Sequence, residues 1–62
     1  MMNLTELVPA ATARVDYELS QRGGQYHGKR VLFVAALVEA AMDCDDADRE
    51  VRWNELVLTF CP

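Results

Sequence analysis

The apolar positions fall into three blocks, and in each the spacing decides the element. Leu4, Val8, Ala11, Val15 and Leu19 recur at steps of three or four residues, one apolar stripe along a helix, and Leu7 widens it. Asn3 or Thr5 can cap its start. Pro9 conflicts with a start that early, because inside a helix it removes one backbone bond. A clean helix is therefore expected from Pro9, where the missing N–H costs nothing. Arg22 followed by Gly23–Gly24 is a suitable end.

The middle block, Val31 to Met42, reads VLFVAALVEAAM, with Glu39 as its only charge. It is too long for an ordinary strand and too short to span a bilayer, which takes about 20 residues. Its alanines, leucines and methionine favour helix, while three valines and Phe33 favour strand. The length tips the reading to a helix from about Lys29 to Cys44, although Lys29–Arg30 is poor chemistry for a helix N-terminus. A helix apolar nearly all round needs neighbours on more than one side, either the two flanking segments or a second copy.

In the third block Trp53, Leu56, Val57 and Phe60 sit at i, i+3, i+4 and i+7, again a helical face. Asp45 or Asp46 is the expected N-cap, with Asp48 and Glu50 in or near the first turn. A strand over Glu50–Phe60 is the competing reading. The fold expected is thus all-α, a three-helix bundle, with α+β carrying a short C-terminal strand as the alternative. The 62 residues form one domain, 1–62. A domain this small buries only about 60% of its unfolded surface, so it is marginal unless stapled or oligomeric.

Charge changes the picture more than composition does. Up to Arg30 four bases face three acids; from Val31 onward two bases face seven acids. The net charge of −4 therefore belongs to the second half, and Asp43 to Glu50 alone holds five acids and one arginine. Such a balance points away from nucleic acid or an anionic membrane as a direct partner, since both require a positive face. If the second helix ran on past Asp43, then Glu39, Asp43, Asp46 and Glu50 would line up at i, i+4, i+7 and i+11, with neighbours about 6 Å apart. Carboxylates in such a row can imitate a phosphate strand, and like charges so placed destabilise the free protein.

Several chemical readings fall away. Gly23 to Lys29 fits the letter of G-x-x-x-x-G-K, but a helical pattern precedes it and Arg30 stands where a hydroxyl is needed, so a glycine-rich turn over Gln25–Gly28 is the expected reading. A calcium loop on Asp43, Asp45 and Asp48 fails at Ala47 and at Asp48, where the pattern needs glycine. His27 lacks a nucleophile at an interpretable spacing and reads as a loop imidazole. Cys44 and Cys61 lie at the ends of different helices, about 20 Å apart if these are antiparallel, and are expected to be thiols. No metal, no cofactor and no enzymatic activity are expected, and the absence of a leader-like N-terminus places the chain in a reducing cytoplasm. Tyr26 and Trp53 are the residue types that anchor partners, although Trp53 closing the core is the plainer reading.

The profile resembles the small acidic inhibitors carried by phages and other mobile elements, anti-CRISPR proteins in particular. The resemblance is one of kind: a tiny domain, no catalytic constellation and an acidic patch from Glu39 through Glu50. It implies a stoichiometric blocker of a DNA- or RNA-binding channel on a larger protein or ribonucleoprotein with a basic surface. The basic residues Arg22, Lys29 and Arg30 depart from a pure nucleic-acid mimic. On this reading Glu39, Asp43, Asp45, Asp46, Asp48, Glu50, Glu55 and Trp53 contact the partner. The alternative is a helical homodimer, or a small subunit, built on an apolar interface of the central helix.

Overall fold

The computed structural model describes residues 3–22 and 27–61, and within them the chain is three helices with one short turn of 3-10 helix. Helix α1 spans Leu4–Gln21, α2 Arg30–Met42 and α3 Asp46–Phe60, with the 3-10 turn His27–Lys29 leading into α2. The all-α bundle is what the three apolar blocks predict. The C-terminal strand alternative does not occur: residues Glu50–Phe60 lie wholly within α3.

Helix α1 begins five residues before the expected clean start. The Asn3 side chain accepts the Glu6 N–H at 3.1 Å, and the Asn3 carbonyl accepts those of Glu6 and Leu7. The cap and one more buried leucine offset the interruption at Pro9 inside the helix. Proline can stand there because it and Thr5, four residues back, both lie on the exposed side. Water can reach the Thr5 carbonyl that Pro9 leaves without a donor. At the far end the Arg22 N–H closes onto the Leu19 carbonyl; the expected glycine stop at Gly23–Gly24 lies outside the described residues, as do Gln25 and Tyr26 of the connector.

The core is built from four-residue steps: Leu7, Ala11, Val15 and Leu19 on α1, Phe33, Leu37 and Ala41 on α2, Trp53 and Val57 on α3 with Cys61 just beyond it. Rows at this spacing are inclined about 26° to the helix axis, so helices that mesh them cross obliquely. The observed row on α1 departs from the expected stripe at its start, where Leu7 is buried and Leu4 and Val8 are exposed. Leu56 and Phe60 flank the core, and the Phe60 ring stacks on Phe33 with centroids 4.8 Å apart.

Helix α2 packs against both neighbours, whereas α1 and α3 meet chiefly through side chains. Trp53 is buried and its indole N–H donates to the Leu37 carbonyl at 2.9 Å, pinning α3 to the middle of α2. The second tie is Arg14 on α1. Its Nε donates to Glu18 at 2.8 Å, Nη1 to Glu50 at 2.9 Å and Nη2 to Asn54 at 2.6 Å, so one guanidinium joins α1 to α3. The Cα radius of gyration, 11.0 Å, is close to the roughly 10.6 Å expected for a packed chain of this length. Among the described residues no helix is long and apolar enough to cross a membrane.

Candidate protein-binding surface

The acidic corner is made where α2 stops and α3 starts. Helix α2 ends at Met42, with the Asp43 N–H closing onto the Ala40 carbonyl at 3.2 Å. The expected continuation to Cys44 does not form, because Asp45 captures the chain as the cap of α3. Its carboxylate accepts the Asp48 N–H at 3.1 Å. The single row through Glu39, Asp43, Asp46 and Glu50 is therefore broken. Glu39 and Asp43 belong to the end of α2, Asp46 and Asp48 to the first turn of α3, and Glu50 turns toward Arg14.

Local structure accounts for part of this charge. Asp45 caps, while Asp46 and Asp48 sit where the helix dipole favours anions. Glu50 is tied to Arg14. Glu39, Asp43 and Glu55 have no such local role. They stand around a shallow groove of about 360 Å³ between α2 and α3, with Arg52 beside them and Ala36, Ala40 and Leu56 in its wall.

Arg14, Arg22 and Arg30 are engaged by carboxylates of α1, whereas Arg49 and Arg52 stand on α3 at the corner itself. Glu18 receives both Arg14 and Arg22, and Asp16 receives Arg30 through two hydrogen bonds of 2.7 and 3.1 Å. Burial by itself would lower the pKa of Arg14, but the bonds to Glu18 and Glu50 outweigh it and hold the guanidinium above its ordinary value. At Arg30 the hydrogen bonds to Asp16, reinforced by its charge, raise the pKa in the same direction. Arg49 lies over the Trp53 ring at 5.3 Å. Glu39, Asp43, Asp45, Asp48 and Glu55 make no ion pair among the described residues, although Arg52 is near three of them.

Seven of the eight residues expected to contact a partner are exposed carboxylates, although Glu50 is shared with Arg14. Trp53 is the exception: it is only 4% exposed and closes the core. A buried indole with its N–H satisfied has no surface to offer. Among the described residues no group of three or more His, Cys, Asp or Glu side chains is placed to hold a metal ion. Both cysteines are free thiols, Cys61 in the core and Cys44 half-buried.

Compared with known proteins, the chain matches no family model, no curated protein and no solved structure.

Proposed function

We propose that this chain is a non-enzymatic protein-binding domain whose acidic corner occupies a basic surface of a larger protein or ribonucleoprotein. The observation carrying the reading is the set of five carboxylates, Glu39, Asp43, Asp45, Asp48 and Glu55, exposed and in no ion pair among the described residues, with Arg52 the one base beside Glu39, Asp43 and Glu55 at the groove. Uncompensated charge of one sign steers association and makes affinity fall with salt. A partner surface that answers it is rich in Arg and Lys, the chemistry of a site that holds nucleic acid. Occupying such a site excludes the nucleic acid, which is how a stoichiometric inhibitor of the anti-CRISPR kind would act. A reducing cytoplasm, where Cys44 and Cys61 stay as thiols, is the compartment that suits this role.

The test is capture of the partner by the tagged chain, with duplex DNA as competitor and an Asp-to-Asn series at Asp43, Asp45 and Asp48. Asparagine keeps the shape and caps a helix as well as aspartate does, so the fold of α3 is preserved. Capture should weaken steeply with salt, yield to DNA, and drop by about tenfold or more in the triple variant, equivalent to about 1.4 kcal/mol. Capture by the triple variant at wild-type strength would refute the acidic corner as the contact surface.

A further inference from the structure

The face of α2 turned away from the core is the least satisfied part of the molecule. Of its 13 residues only Phe33, Leu37 and Ala41 are buried, while Val31, Leu32 and Met42 stand 77%, 67% and 59% exposed. On the side facing α1, Val8, Val31, Val34, Ala35, Val38 and Met42 wall an open groove of about 480 Å³. Arg30 and Glu39 lie on its rim. Helices α1 and α3 therefore both pack on the core side of α2, and the opposite side of a helix apolar nearly all round is left without cover.

The charges on α2 say what would cover it. The helix has no acid in its first turn and no base in its last. Instead Lys29 and Arg30 stand at the N-terminal end, and Glu39 and Asp43 at the C-terminal end. Both ends oppose the helix dipole, which favours anions at the N-terminus and cations at the C-terminus. A second α2 laid antiparallel corrects both ends at once, because its acids come to the bases and its bases to the acids. A parallel copy would set like charges together.

We propose that this groove is the interface of a symmetric homodimer in which α2 of each copy lies antiparallel against α1 and α2 of the other. A two-fold axis midway between Val31 and Met42 sets Val31 of one copy over Met42 of the other and brings Ala35 opposite Val38. The same register brings the basic end of one α2, Lys29 and Arg30, toward the Glu39 end of the other copy's. An interface of this kind needs one patch complementary to itself, and the reversal of charge along α2 supplies that. Val8, Val31 and Met42, exposed at on the order of 100 Å² each, with the half-buried valines and the charged rim, give roughly 400 Å² per copy. Two copies then bury roughly 800 Å², the size of a weak association.

The test uses the isolated chain, so its outcome is independent of any acidic-corner partner. Sedimentation or light scattering up to about 100 μM should give a mass twice the 7.0 kDa of one chain. Ala35→Glu, at an exposed position, should raise the dimer Kd at least about tenfold while leaving the helical circular dichroism intact. In a Cys44→Ser background, a mixture of Val31→Cys and Met42→Cys chains should cross-link between copies, and Val31→Cys alone should not. A monomer at the highest concentration would overturn the proposal. So would an Ala35→Glu variant of unchanged dimer mass, which places the contact elsewhere, or self-cross-linking of Val31→Cys, which makes the helices parallel.

Discussion

Trp53 shows how far a residue type can be read without its neighbours. Its spacing with Val57 identifies the inner face of α3, and its chemistry fits either a core or a contact surface. The choice depends on whether a carbonyl acceptor is present in the interior, and Leu37 supplies one at 2.9 Å. Trp53→Phe keeps a ring in the core but loses the donor and some volume. We expect a loss of about 1–2 kcal/mol, read as a lower urea midpoint at unchanged slope. For a chain whose total stability is about 3–9 kcal/mol, that is a large fraction. An unchanged midpoint would mean that the indole hydrogen bond contributes nothing to the fold. Glu50 teaches the same lesson on the surface. It reads as one of five clustered acids, yet it is spent on Arg14, a residue 36 positions earlier. No local pattern announces that pairing.

At the scale of the element, spacing located all three helices, and the differences lie at their ends. The three apolar blocks fix the period, and in α1 and α3 most of the inner face, because burial has to recur every three to four residues. Ends are set by competition between caps. At α1 the Asn3 cap and the burial of Leu7 outweigh Pro9, so the helix starts earlier than proline alone suggests. At the junction of α2 and α3 the Asp45 cap stops one helix by starting the next. The interruption still has a cost that water only partly offsets. Pro9→Ala restores the N–H to the Thr5 carbonyl and removes the ring clash, against a more flexible unfolded chain. A net gain of about 1 kcal/mol is expected, raising Tm by roughly 4–8 °C in a domain of this size. A lower Tm would show that Pro9 stabilises α1 by restricting the unfolded state more than it weakens the helix.

For the whole molecule, the question is what joins three helices that each have an apolar row. Helix α2 packs on both neighbours, and α1 and α3, which share the buried core, are also tied directly by the guanidinium of Arg14. Arg14→Met keeps the aliphatic stem and removes all three donors, and should cost about 1–2 kcal/mol in urea unfolding. The double-mutant coupling to Glu50→Gln should stay below about 1 kcal/mol and shrink with salt, because the Glu50 side chain is 67% exposed. The pKa of Arg14 is raised above an already high ordinary value. Its contribution is therefore present below that ordinary value and is lost only as pH climbs through the still higher folded one. The cost of Arg14→Met should accordingly be flat from neutral pH to about 10. A cost that fell away over that range would mean the tie is held by another group.

By itself the sequence determined what is local or additive: three helices from the period of apolar residues, the acid-rich second half from a count, and Asp45 as a cap candidate from its place before a helical block. The tertiary structure decided everything that depends on which residues meet. It put Trp53 inside, broke the carboxylate row at Asp43, drew Glu50 to Arg14, and left one long side of α2 uncovered. The physical reason is that periodicity records how often a residue must face inward, whereas the packing of oblique four-residue rows sets which side that is. On a helix apolar all round, such as α2, no polar face marks the outside, and only the positions of α1 and α3 distinguish Phe33, Leu37 and Ala41 from Val31 and Met42.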